Sequence, residues 1–191
     1  LKRGTCSWID NFYKKGGIEY RNAGGNGAAM RVLPLALVNI DNEERLLRDV
    51  LINSIITHGH PRALLGALIY ASLICFLLKD QAADKQQILA YLKDVVHLFP
   101  TAISKNDGLE RWIHRWDSQP LDGVKFEELS QRAVQEALGY LEAIPKIQED
   151  RQYYKLTGAL NEATRGSGIS TVFVAIYLFL KYRHEPLKGL F

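Results

Sequence analysis

The sequence predicts an all-α fold, and three observations carry that reading. Apolar residues recur at three- and four-residue spacing along most of the chain. Acids, asparagines and a proline stand where helix starts use them. No alternating run of β-branched residues lies between hairpin turns, so strands are not expected. The 191 residues suit a single all-α domain over 1–191. With 47% hydrophobic and 24% charged residues, the chain can bury a real core, which excludes disorder and collagen-like order.

The elements follow in order. Leu46, Leu47, Val50, Leu51, Ser54 and Ile55 mark the first strong helix. Asp41 or Asn42 can cap it, and Glu43 and Glu44 fall in its first turn, where the dipole favours acids. Pro61 opens the next helix at a position that needs no N–H, and that helix is expected to reach about Leu78. Its apolar run, 63–78, is broken only by Ser72, small residues and Tyr70. A membrane span needs roughly 20 residues, so a buried core helix and no membrane partner are expected. Ile88, Leu89, Leu92, Val95 and Val96 mark a further helix. Phe126, Leu129, Ala133, Val134, Ala137, Leu138 and Leu141 mark another, ending near Pro145. A last, very apolar helix covers 171–182 and stops before Pro186. Gly and polar clusters make loops of 14–27, 101–121 and 164–168, with no internal repeat or low-complexity segment.

Charge and cysteine usage narrow the function. Lys and Arg number 24 against 21 Asp and Glu, a net +3 with no dense basic stripe, so nucleic-acid binding is not expected. Cys6 and Cys75 are too few for a disulfide scaffold, and Cys75 reads as a buried free thiol in a reducing, cytoplasmic setting. Leu1-Lys2-Arg3-Gly4-Thr5-Cys6 leads into no signal-peptide core, and the sequence does not start with Met. A stretch from within a longer chain is therefore expected.

Two turns are candidate ligand sites. Gly24-Gly25-Asn26-Gly27 runs into an apolar helical pattern, Ala28-Ala29-Met30-Arg31-Val32-Leu33. Such a start leaves free N–H groups and a positive dipole end for an anion, and Asn26 can pair with a sugar hydroxyl. A plain loop capped by Asn26 explains the same residues. The Lys-Ser/Thr of a phosphate-binding P-loop and the spacing of a dinucleotide fingerprint are absent. Thr57-His58-Gly59-His60-Pro61-Arg62-Ala63 joins two apolar helices. Its histidines can donate to a phosphate or ribose oxygen, start a zinc site, or simply finish a helix cap. No further ligands stand at finger-like spacing, so no metal-ligating residue is assigned. Arg165-Gly166-Ser167-Gly168 repeats the logic of a glycine turn ahead of a helix. Trp112 and Trp116, with His114 between them, read as a packing ridge rather than a stacking platform. His97 and His184 look like surface residues, and Asp107, Glu110, Asp117 and Asp122 like solvated acids.

Taken together, Gly25-Asn26-Gly27-Ala28-Ala29-Met30-Arg31-Val32-Leu33-Pro34 and Thr57-His58-Gly59-His60-Pro61-Arg62-Ala63 resemble the ADP-ribosylglycohydrolase family. Leu1-Lys2-Arg3-Gly4-Thr5-Cys6 and Gly166-Ser167-Gly168-Ile169 resemble earlier and later segments of it. The resemblance implies an all-α enzyme that hydrolyses the glycosidic bond of ADP-ribose on a modified protein or small molecule, using two Mg²⁺ ions. It implies that Gly25, Asn26 and Gly27 line the ribose and diphosphate, with Met30 packed beneath them and His58 reaching the diphosphate. Gly4 and Thr5 would form a neighbouring wall, and Gly166, Ser167 and Gly168 the adenine border. Where relatives place an aromatic after that turn, Ile169 stands here. The family holds its metals with a Thr-Asp-Asp and an Asp-x-Asp-Thr, and this sequence contains neither. The chain thus resembles the middle portion of the family, with the cradle but not the metal ligands, and no catalytic residue is assigned. Its expected partners are ADP-ribose or an ADP-ribosylated protein, and a second chain that completes the fold. The alternatives are a truncated, inactive ADP-ribose-binding or scaffold protein, or an unrelated helical module.

Overall fold

The computed structural model describes residues 18–185, and every regular element among them is helical. In order these are α1 (Ile18–Arg21), a 3-10 turn (Ala29–Arg31), α2 (Leu33–Val38), α3 (Glu43–Ile55) and α4 (Pro61–Lys79). Then come α5 (Lys85–Ser104), α6 (Asp107–Asp117), α7 (Phe126–Ala143), α8 (Asp150–Leu156) and α9 (Gly168–Tyr182). Isolated bridges, Gly25 with Ser167 and Leu121 with Val124, are the β-type pairing among the described residues. The all-α expectation holds.

α4 is the centre of the molecule. It packs against α2, α3, α5, α7 and α9, so Ala63, Leu64, Leu65, Gly66, Ala67, Leu68 and Ile69 are all buried. A helix with neighbours on every side keeps no polar face. The helix is 19 residues long, longer than the run read from sequence, and by length and composition alone it could cross a membrane. Here it is the core helix. Its crossing with α9 is unusually close, because a Cβ on Gly66 would lie 2.6 Å from the Gly168 carbonyl oxygen. A Cβ on Gly168 would lie 2.7 Å from both Ala63 Cα and the Arg62 carbonyl oxygen. This glycine contact sets the starts of α4 and α9 side by side.

Local chemistry fixes the helix starts. Of the two candidate caps for α3, Asn42 is the one used: its Oδ1 accepts the Arg45 N–H at 2.9 Å. Pro61 is the first residue of α4, and His60 Nδ1 accepts the Arg62 N–H at 3.2 Å. α5 starts at Lys85 through a reciprocal Asp84–Gln87 capping box, with both bonds 2.8 Å. α9 starts three residues before the expected 171, where the Ser167 hydroxyl oxygen accepts the Ser170 N–H.

Two expectations are corrected. The stretch 101–121 is not one loop. α5 continues past Pro100 to Ser104, because Phe99 and Ile103 are buried on its inner face. Asn106 then caps α6, accepting the Gly108 and Leu109 N–H groups, so Asn-Asp-Gly starts a helix here rather than a loop. α8 has no counterpart among the expected helices, since seven residues give too short a pattern. Tertiary bonds hold it: the buried Tyr153 hydroxyl donates to the Tyr140 carbonyl, and Asp150 accepts from Tyr177, Lys181 and Tyr182 of α9.

Candidate functional site

The glycine turn 24–27 is held by the turn 164–168 through backbone bonds. Asn26 N–H donates to the Gly166 carbonyl at 2.9 Å, and Gly168 N–H donates to the Gly24 carbonyl at 2.8 Å. Gly166 has φ +83°, the left-handed region that glycine adopts without strain. The Asn26 side chain donates from Nδ2 to Thr171 Oγ1 at 3.3 Å, joining the turn to the first turn of α9. The Asn26 carbonyl accepts the Met30 N–H at 3.0 Å, but the helical turn that follows is capped at Ala28 with no side-chain bond, so Asn26 is not its cap.

The histidine turn is held by residues that lie far away in sequence. Gly59 N–H donates to the Tyr20 carbonyl at 3.0 Å, and Trp116 Nε1–H donates to the Gly59 carbonyl at 2.9 Å. Tyr20 is itself fixed. Its hydroxyl donates to the Ile55 carbonyl and accepts Trp112 Nε1–H at 2.9 Å. Burial pushes that hydroxyl's pKa well above the usual tyrosine range, so it stays a donor. Arg21 binds the end of α6, donating to the Trp116 and Arg115 carbonyls at 2.9 and 3.1 Å. Trp112 and Trp116 are therefore the expected packing ridge, each edge-on to Phe126, and each also spends its N–H on holding this turn.

The two turns meet at Gly27 and His58. A Cβ on Gly27 would lie 3.1 Å from His58 Cε1 and 3.2 Å from Nε2, so the imidazole rests against the glycine. Nδ1 of the same ring bonds Thr57 Oγ1 at 2.7 Å, which leaves Nε2 as the other polar edge. Burial first, and then the Arg31 charge, lower the His58 pKa to about 4. Burial and then Arg62 lower that of His60 to about 4 as well. Both rings are neutral at pH 7.

Most of the sequence-predicted residues come together here. Gly25, Asn26, Gly27, His58, Gly166, Ser167 and Gly168 belong to three adjoining turns. Ser167 and Gly168 are buried: the serine caps α9, and the glycine makes the α4 crossing. Met30 does not pack beneath the turn. It is 76% exposed, because Ala28 and Ala29 occupy the inward side of this short helical turn. Gly4 and Thr5 lie outside the described residues. His97 and His184 are exposed as expected. Glu110 and Asp122 are exposed, while Asp117 Oδ1 accepts the Phe126 N–H at 2.8 Å. Sequence reasoning gives no role to Tyr20 or Arg31. Nothing at Tyr20 signals its role locally, whereas Arg31 stands inside the glycine motif and offers a clue.

Among the described residues no group of three His, Cys, Asp or Glu side chains comes together to hold an ion. Several of their partly buried carboxylates have other work. Asp49 accepts from Arg48 and Asn39, Glu136 from Arg62 and Tyr140, and Asp150 from the α9 cluster. The described residues therefore do not by themselves make a Mg²⁺ site, since no cluster of acidic oxygen ligands stands among them.

The fold and the site together define a class: a helical protein built around one apolar core helix, with glycine and histidine turns meeting at one end. A family model for ADP-ribosylglycohydrolase matches residues 2–191, so the chain belongs to that family. Comparison with curated proteins gave no match, and comparison with solved structures gave none. The membership bears out the resemblance carried by the two motifs, and with it an ADP-ribosylglycohydrolase-like function.

Proposed function

We propose that this chain supplies the ADP-ribose cradle of an enzyme that hydrolyses the glycosidic bond between ADP-ribose and a modified protein or small molecule. The observation that carries the reading is the contact of the His58 ring with Gly27, which sets a neutral polar edge against a glycine turn. Gly25 and Gly27 let the backbone approach a diphosphate closely. The neutral His58 can bond a phosphate oxygen through Nε2 when Thr57 donates to Nδ1. Gly166 borders the same turn on the adenine side.

Members of the family use metal ions, and two Mg²⁺ are the proposed ions. Since the described residues do not by themselves make their site, the role assigned to these residues is to bind and orient. A partner chain carrying acidic ligands would complete the chemistry. The proposed setting is cytoplasmic, with no membrane or nucleic-acid partner.

A second reading is an inactive ADP-ribose-binding or scaffold protein, favoured by the structural bonds that occupy Asp49, Glu136 and Asp150. One experiment orders these readings: thermal unfolding with ADP-ribose, beside release of ADP-ribose from a modified protein with added Mg²⁺. Binding with release supports the enzyme. Binding without release supports the binder. A melting temperature unmoved by millimolar ADP-ribose removes the cradle, because a ligand bound to the native state alone must raise it.

A further inference from the structure

We infer that Arg31 is a positioning residue: it ties the exit of the glycine turn to the end of α3 and so fixes His58 against Gly27. Its effect on ligand rests on the ADP-ribose reading above, whereas the positioning itself needs no ligand.

Arg31 ends the short helical turn that follows Gly27. Its Nε donates to Asn53 Oδ1 and its Nη2 to the Asn53 carbonyl, both at 2.7 Å. Asn53 is in the last turn of α3, where the dipole end is negative, and its carbonyl also accepts the Ile56 N–H at 3.4 Å. The next carbonyl, Ser54, accepts the Thr57 N–H at 3.2 Å and the His58 N–H at 3.0 Å. The guanidinium therefore grips the helix end from which the histidine turn departs. On its other side stand Ala28 and Ala29, both buried, and then Gly27 itself. A planar two-pronged donor suits this grip, and a lysine ammonium cannot reproduce it. Met30 does not share the task, since it faces solvent. The charges that bear on the two rings are Arg31 for His58 and Arg62 for His60.

The test compares wild type, Arg31→Lys and Arg31→Gln by NMR and by calorimetry with ADP-ribose. In wild type, the Gly27 Hα and His58 Hε1 protons should show a cross-peak, and His58 should titrate near 4. Arg31→Gln should weaken the cross-peak and raise the titration above that of wild type, in part only, because burial is the larger cause of its lowering. It should also weaken ADP-ribose binding about tenfold, the size of one charge-assisted hydrogen bond. Arg31→Lys should weaken the cross-peak while raising the titration less than Arg31→Gln does, because the charge is kept; a role through charge alone would leave the cross-peak intact. A folded Arg31→Gln with the cross-peak, titration and affinity of wild type overturns the inference. Should Arg31→Gln not fold, Arg31→Lys decides, since it keeps the charge and loses the two-pronged grip: an unchanged cross-peak there also overturns it. If wild type binds no ADP-ribose, the cradle reading falls, and the cross-peak and titration still decide the role of Arg31.

Discussion

The glycine turn 24–27 and the histidine turn 58–60 touch each other, yet only the second is also buttressed by a large side chain, the Trp116 indole. The first is held by backbone pairing with 164–168 and by the absence of side chains where α4 meets α9. The second is held by Tyr20 and Trp116 from distant helices, the tyrosine through its backbone carbonyl and the tryptophan through its indole N–H. A turn made by backbone contact breaks when atoms are added. A turn that also leans on a side-chain buttress breaks when the buttress is removed as well. The pair shows how one site can depend on two different kinds of sequence information.

Removing the buttress is the strongest way to break the comparison. Trp116→Ala should destabilise the protein by about 3–5 kcal/mol, the usual cost of truncating a buried aromatic, and leaves the Gly59 carbonyl without its donor. Urea unfolding reads it, and a loss below about 1 kcal/mol would mean that α6 does not support the turn. Adding atoms comes next. Gly168→Ala places a Cβ 2.7 Å from backbone atoms of α4 and should cost about 1–3 kcal/mol. Trp116→Ala should be more costly than Gly168→Ala, and the reverse order would invert the account of the two turns.

Acid sharpens the contrast from another side. His58 and His60 have folded pKa values near 4 against 6.5 unperturbed. The unfolded chain therefore binds more protons between those values. Stability should be full above about 6.5 and fall as the pH drops toward 4. Unfolding midpoints across that window measure it, and replacing His58 with Gln should flatten part of the slope. The smallest effect is expected at Gly25→Ala. The nearest atom to its Cβ is the Gly166 carbonyl oxygen at 3.7 Å, an ordinary contact, so stability should stay within about 0.5 kcal/mol. A loss of ADP-ribose binding in that stable variant would locate the ligand at the turn.

Much of the frame is legible from periodicity and caps. Asn42, Pro61 and the apolar repeats place the starts or bodies of α3, α4 and α7 because these signals are local. α6 reads as loop in the sequence because Asn106-Asp107-Gly108 resembles a turn as much as a cap, and only the burial of Leu109 and Trp116 decides between them. α8 escapes because its stability comes from the Asp150 cluster and Tyr153, contacts made across the chain. The family resemblance puts Met30 beneath the cradle, yet it stands in solvent, since the two alanines before it take the inner face.

The two motifs by themselves determine the family and the pairing of a glycine turn with a histidine turn, because the types of residue that approach a ligand are written locally. Only the tertiary structure decides that the indole of Trp116 and the backbone of Tyr20 hold Gly59, and that Arg31 grips the end of α3. Those partners lie 57, 39 and 22 residues apart. Packing around α4 brings them within hydrogen-bond reach, and residue spacing carries no record of it.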